Sequence, residues 1–129
     1  MDKEHLSLFL EQHYSKEQIL NLREQTYQEV VAIDDILDLC FDENPKVAFR
    51  ASWLLEHTVT KYPHLLTKQA KSFLQKYPSQ QNQSAQRCFS KIAMLMVERT
   101  NFYGLKYEDF EGCLSASFDC LLNEQIPVA

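Results

Sequence analysis

The sequence predicts an all-α fold, an α-α superhelix built from antiparallel helix pairs. Three observations lead to this prediction. Strong helix breakers are rare, since the chain contains only two glycines and four prolines in 129 residues. Apolar residues recur three and four positions apart through most of the chain, the spacing of one helical face. A two-helix pattern of about 40 residues also returns along the chain.

The length and the repeat together predict how the chain is divided. At 129 residues we expect one domain, 1–129. Within it we expect an N-terminal helical cap at 1–26, a first repeat at 27–63, a second at 64–104 and an incomplete third at 105–129. The fold then has about two and a half repeats after the cap.

Two short helices form the predicted cap. The first carries its apolar stripe on Leu6, Phe9, Leu10, His13 and Tyr14. The second begins at a capping-box pattern, Ser15–Gln18, and carries Ile19, Leu20 and Leu22. Another capping-box pattern, Thr26–Glu29, predicts the start of the third helix.

The first repeat pairs a third helix with a fourth. The third has its inner stripe on Val30, Ile33, Leu37, Cys40 and Phe41. The fourth begins with Asn44 as N-cap and Pro45 in the first helical position, where a missing N–H costs nothing. Its stripe consists of Val47, Ala51, Leu54, Leu55 and Val59. It ends near Tyr62, because the residue before a proline is biased away from helical geometry.

Three further helices complete the predicted set. The fifth runs from about His64 to Lys76, with a stripe of Leu66, Ala70, Phe73, Leu74 and Tyr77. The sixth ends where Asn101 or Gly104 can supply a left-handed C-cap. Its stripe consists of Ala85, Phe89, Ile92, Ala93, Met96 and Val97. The seventh runs from about Tyr107 to Leu122, with a stripe of Phe110, Leu114, Phe118, Leu121 and Leu122.

The repeat is clearest between the fourth and sixth helices. After one extra loop residue, Asn44, Val47, Ala51, Leu54, Leu55 and Val59 fall on Asn82, Ala85, Phe89, Ile92, Ala93 and Val97. The stretch 123–129 matches only the start of such a helix. We therefore expect a third unit without its inner helix, leaving a face for a partner or a second copy to cover.

One segment carries a resemblance to a known family. The pattern Asp42-x-x-Pro45-x-Val47-x-x-Arg50-Ala51-x-x-x-Leu55 resembles the second-helix signature of HEAT repeats. It departs from that signature in placing Arg50 three residues after the valine, and in having Trp53 among positions that are usually small. The resemblance implies a solenoid whose second helices line a concave, partner-binding face. The segment 50–57 also resembles small bacterial HEAT-like proteins, some of which are labelled adenylosuccinate lyase; the signature loop of that lyase is absent.

Charge and cysteine pattern restrict the class of protein further. The formal net charge of −5 disfavours a nucleic-acid backbone as partner. No apolar run approaches the ~20 residues of a membrane span, and the N-terminus lacks a secretory pattern. The cysteines, Cys40, Cys88, Cys113 and Cys120, lie in apolar helical patterns without a Cys-x-x-Cys pair. We expect buried free thiols and a cytoplasmic protein.

Metal and catalytic motifs are missing from the sequence. The histidines form neither His-Glu-x-x-His nor Glu-x-x-His, and Asp2 with His5 has no second ligand pair. Asp34 and Asp38 share a helix face without the glycine of a calcium loop, which indicates a solvated face. Neither a nucleophile elbow nor a glycine-rich phosphate loop occurs. We therefore expect a non-enzymatic protein without metal or cofactor.

Six residues form the predicted binding surface. Arg50, Trp53, His57 and Lys61 step along one side of the fourth helix, and Arg87 and Lys91 hold comparable positions on the sixth. Arginine and tryptophan are frequent binding anchors.

The leading hypothesis is an interaction module that presents this stripe to an acidic or extended segment of an unknown protein partner. Two alternatives stay open: a DNA-binding or lesion-recognising protein, and, remotely, a lyase-like activity. A structural role also remains open, in which Trp53 packs between helices while Arg50 pairs with Glu56 or Glu98 to hold repeats together.

Overall fold

The structure is a computed structural model that describes residues 1–13 and 15–113. In that part of the chain the regular elements are all helical. The α-helices are α1 (Lys3–Gln12), α2 (Lys16–Tyr27), α3 (Ile33–Leu39), α4 (Pro45–Lys61), α5 (Ala70–Lys76), α6 (Gln83–Glu98) and α7 (Thr100–Tyr103). Short 3₁₀ helices occupy Pro63–Gln69, Tyr77–Ser79 and Tyr107–Phe110. The predicted all-α helical repeat fold is confirmed.

Helix α4 is the centre of the arrangement. It packs against α2 on one side and α6 on the other, and also contacts α1, α3 and the 3₁₀ helix Pro63–Gln69. The helices thus form two layers, with α2, α4 and α6 side by side in one and α1, α3 and the 3₁₀ helix in the other. The predicted second helices of the repeats therefore lie next to each other.

The start and the inner face of α4 follow the prediction. The Asn44 side chain accepts a hydrogen bond from the Lys46 backbone N–H, and Pro45 occupies the first turn. All five predicted stripe residues are at most 1% exposed: Val47, Ala51, Leu54, Leu55 and Val59. The stripe predicted for the fifth helix is also buried, although its first half is a 3₁₀ helix and only Ala70–Lys76 is α-helical.

The boundary between α2 and α3 differs from the prediction. Thr26 does not begin a helix; it lies inside α2, where its hydroxyl donates to the Leu22 carbonyl at 2.8 Å. The chain reverses at Glu29, whose φ of 65° lies in the left-handed region. The predicted stripe of α3 is correct in part. Cys40 is buried, and Ile33, Leu37 and Phe41 are partly buried against the core, whereas Val30 is 45% exposed and the unpredicted Val31, Ile36 and Leu39 are buried.

The C-terminal part of the described chain agrees with the prediction in part. The sixth helix ends earlier than predicted, at Glu98, with Arg99 as its C-cap. Gly104, one of the two predicted left-handed C-caps, has φ of 64° and ends the separate helix α7 instead. Val97, predicted to be buried, is 52% exposed. Phe110 is buried as expected, whereas the rest of the seventh stripe, Leu114, Phe118, Leu121 and Leu122, lies outside the described residues, as do Tyr14 and Cys120.

Candidate functional site

The six predicted site residues lie on two adjacent helices but not in one cluster. Arg50, Trp53, His57 and Lys61 belong to α4, and Arg87 and Lys91 to α6. An open groove of about 240 Å³ between these helices brings three of the six together, namely Trp53, Arg87 and Lys91. The groove is completed by Phe49, Glu56, Ser84 and Cys88. We refer to these seven residues as the α4/α6 groove.

Arg50 contacts the end of the first helix of the cap. Its Nη1 donates to the carbonyls of Leu10 at 2.7 Å and Glu11 at 2.9 Å. These carbonyls lie in the last turn of α1, where four backbone acceptors lack helical donors and the helix dipole is negative. The Arg50 side chain therefore satisfies free carbonyls at the C-terminal end of α1 and links the N-terminal cap to α4.

Trp53 is the middle member of a row of rings along α4. It is parallel to Phe49, with an interplanar angle of 3° and centroids 6.1 Å apart, and its centroid lies 5.7 Å from that of His57. Phe49 and His57 are each four residues from Trp53, so the helix itself places the rings beside each other. Trp53 is partly buried against the core and keeps one side in the groove.

The imidazole of His57 is mainly uncharged at neutral pH. Burial lowers the pKa of its imidazole, and the nearby cations Lys16, Arg23 and Lys91 lower it further, while Glu56 acts in the opposite direction. The ordinary pKa of histidine is about 6.5, so His57 is mainly neutral at pH 7.

Lys61 takes part in a second polar contact between helices, this time between α2 and the C-terminal end of α4. We call the group of Glu24, Arg23, Lys61 and Tyr62 the Glu24 joint. The Lys61 Nζ is 3.4 Å from Glu24 Oε2, while the Tyr62 hydroxyl donates to Glu24 Oε1 at 2.6 Å and Arg23 Nε donates to Oε2 at 2.8 Å. The Tyr62 hydrogen bond is the largest reason that the pKa of Glu24 falls to about 2, followed by the bond from Arg23. Tyr62 also stacks on Tyr27 at 4.4 Å between centroids.

Charge inside the α4/α6 groove comes from three side chains. Glu56 of α4 lies 3.9 Å from Lys91 Nζ of α6, and Arg87 is an exposed cation on the same side of α6. Among the described residues that line the groove, two are cationic and one is a carboxylate, although the whole chain is acidic. Burial raises the pKa of the Cys88 thiol to about 12 and the Glu56 charge adds to the effect, so this thiol is protonated and poorly nucleophilic.

Several residues at these joints were not part of the predicted site. Phe49 could have been found from its spacing of four residues to Trp53, which places both rings on one face. Glu24 and Tyr62 carried no such signal, because they are distant in the sequence and meet only through the packing of α2 against α4.

Two further grooves of the structure lie away from the six predicted residues. Two larger open grooves, of about 400 Å³ and 350 Å³, lie at the turns between helices and contain none of the six.

Among the described residues, no group of three or more His, Cys, Asp or Glu side chains is placed to hold a metal ion. In the same part of the chain, no helix is long and apolar enough to cross a membrane.

The Arg50 contacts lead to a test of its structural role. Arg50→Met should lower the free energy of unfolding by about 1–2 kcal/mol, because two hydrogen bonds from a charged donor are lost at the end of α1. Urea unfolding measures this loss, and α1 amides should exchange faster. Lys71→Met, at an exposed lysine of α5, should change stability by less than about 0.5 kcal/mol. Equal, small effects of both substitutions would contradict the assignment.

The Glu24 joint leads to a pH-dependent test. Since the folded-state pKa of Glu24 lies below its ordinary 4.5, its contribution to stability is present above pH 4.5 and is lost as the pH falls toward 2. Tyr62→Phe should raise the Glu24 pKa, so that the loss begins at higher pH; carboxyl-detected NMR titration measures it. Tyr107→Phe, at a residue that is 76% exposed, is the matched control and should leave the Glu24 pKa unchanged. An ordinary Glu24 pKa in the unaltered protein would refute the joint.

Comparison with known proteins identifies the family. The family model described as HEAT repeat domain matches residues 6–118, which is most of the chain. A search of the curated proteins and a search of the solved structures each found no match. HEAT repeats generally mediate protein–protein interaction. The chain belongs to the HEAT repeat domain family, because the family model matches most of it and its helices are paired with the second helices adjacent.

Proposed function

We propose that the chain is a non-enzymatic interaction module that binds a protein partner on the exposed face of α4 and α6. The observation that supports this proposal most strongly is the α4/α6 groove, which combines a flat aromatic wall with cations. Trp53 and Phe49 supply the wall, and Arg87 and Lys91 lie along the opposite side. Interfaces are enriched in aromatic residues and arginine at their centres.

The charge of the groove indicates the chemistry of the partner. Two cations face one carboxylate, Glu56, which already lies beside Lys91. A partner segment with a bulky apolar side chain against Trp53 and an acidic side chain toward Arg87 would complement both features. We therefore propose an acidic, extended or helical segment of a protein as the partner.

The six predicted residues take different parts in this proposal. Trp53, Arg87 and Lys91 act as direct anchors. Arg50 and Lys61 maintain the angle between the cap and α4 through their contacts with α1 and with Glu24. His57, mainly neutral at pH 7, supports the Trp53 ring instead of attracting a charged partner.

Nucleic acid is the less favoured partner. Several cations of the predicted stripe already have acceptors, with Arg50 on carbonyls, Lys61 on Glu24 and Lys91 on Glu56. The chain as a whole carries a net charge of −5, whereas DNA-binding surfaces concentrate unpaired cations. A lyase-like activity gains no support from the described side chains.

The organisation and location that we propose follow from the same considerations. We take 1–26 as a cap, 27–63 and 64–104 as two repeats, and 105–129 as part of a third unit. Most of that unit lies outside the described residues. Cys40, Cys88 and Cys113 are buried and not disulfide-bonded, which suits a reducing compartment such as the cytoplasm.

Two single substitutions test the binding face. In affinity capture from the native cell followed by mass spectrometry, Trp53→Ala and Arg87→Glu should each reduce retention of the true partner at least about tenfold. Lys71→Glu makes the same charge change on an exposed residue of α5, outside the groove, and should retain the partner fully.

Circular dichroism must show unchanged helix content for each variant, so that loss of binding is not loss of folding. Retention of the same proteins by both groove variants would refute the proposed face.

A further inference from the structure

Exposed apolar side chains gather near the C-terminal end of α6. Met94 is 58% exposed and Val97 is 52% exposed, and Phe102, in α7 directly after it, is 47% exposed. Clusters of exposed apolar side chains mark interaction surfaces more often than isolated ones do. The outer side of α6 is therefore suited to a further contact, beyond its part in the α4/α6 groove.

A charge gradient runs along the same side of this helix. Arg87, Lys91, Met94 and Glu98 follow one another at intervals of four, three and four residues and so form one exposed ridge, which we call the α6 ridge. Cations occupy its N-terminal half, the methionine lies near its middle, and the carboxylate of Glu98 ends it. An antiparallel helix with the same sequence would present the opposite order of charges.

We infer that the α6 ridge carries a contact between two copies of this chain related by a twofold axis. The two helices run antiparallel, and the twofold axis crosses the ridge at the level along the helix that separates Ile92 from Ala93. Arg87 then lies opposite Glu98 of the second copy. Met94 then lies opposite the aliphatic stem of the second copy's Lys91. Such an interface is isologous, so each pairing occurs twice.

The alternative arrangements are less complementary. Parallel ridges in register would place Arg87 against Arg87 and Glu98 against Glu98, which repel. A second copy is favoured over an unrelated acidic helix, because the carboxylate of Glu98 at the end of the ridge would repel acidic side chains of such a helix.

One helix face from each copy is small beside the ~800 Å² per partner of a standard interface, so the dimer is concentration-dependent. Arg87 and Lys91 also line the α4/α6 groove, so the dimer and the proposed partner compete for them. Only this competition rests on the proposed function; the self-association does not.

Sedimentation equilibrium of the purified chain, with no other protein present, tests the contact by charge exchange. The unaltered chain should show a reversible monomer–dimer equilibrium. Arg87→Glu and Glu98→Arg should each weaken dimerisation at least about tenfold, because each creates two like-charge pairings. The double variant, Arg87→Glu with Glu98→Arg, should restore dimerisation to within about threefold of the unaltered chain, since both pairings are then attractive again.

Lys71→Glu serves as the control for net charge and should dimerise like the unaltered chain. A chain that stays monomeric up to about 1 mM, or a double variant that is as weak as the single variants, would overturn the inference. Undiminished partner capture by both Trp53→Ala and Arg87→Glu, with the charge exchange changing dimerisation as stated, would count against the proposed function alone. All variants carry exposed substitutions, and their urea unfolding midpoints confirm that they are folded.

Discussion

Burial of the inner face of α4 is the interaction on which the rest of the structure depends. Val47, Ala51, Leu54, Leu55 and Val59 are at most 1% exposed, and each fully buried valine or leucine side chain contributes about 1.5–3 kcal/mol. The same helix contacts α1, α2, α3, α6 and the 3₁₀ helix Pro63–Gln69. Because that side of α4 must face the core, the row of Phe49, Trp53 and His57 lies beside the core stripe and is half-buried.

The position of α4 between two neighbours divides its polar residues by function. Residues toward α1 and α2 hold the cap, as Arg50 does on the α1 carbonyls and Lys61 on Glu24. Residues toward α6 border the groove, as Glu56 does beside Lys91. A stripe that is continuous along one helix thus serves two different neighbours, which is why its members are not equivalent as candidates for binding. Trp53, in the middle of the helix, lines the α4/α6 groove, where we propose that a partner binds.

The sequence was informative about the start and the inner face of α4. The stripe of α4 and the Asn44 N-cap follow from helical periodicity and end chemistry, and both occur as predicted. Gly104 adopts the predicted left-handed conformation but ends α7, because α6 stops at Glu98. The stripe of α3 was only partly right, since Val30 lies in the turn after α2, where Glu29 adopts a left-handed conformation that is uncommon for residues other than glycine. The roles of Arg50 and Lys61 could not be read from the sequence, because their acceptors belong to helices 37 to 40 residues away. The family match covers residues 6–118, in agreement with the resemblance that the Asp42–Leu55 segment carries.

Native-state hydrogen exchange along α4 tests the central role of this helix most directly. If the buried face of α4 holds both layers together, the amides of Ala51, Leu54 and Leu55 should exchange only through global unfolding. Their opening free energy should then equal the unfolding free energy from urea and should be the highest in the chain. Exchange of these amides through local opening, at a free energy clearly below that of α1 or α6, would contradict the account.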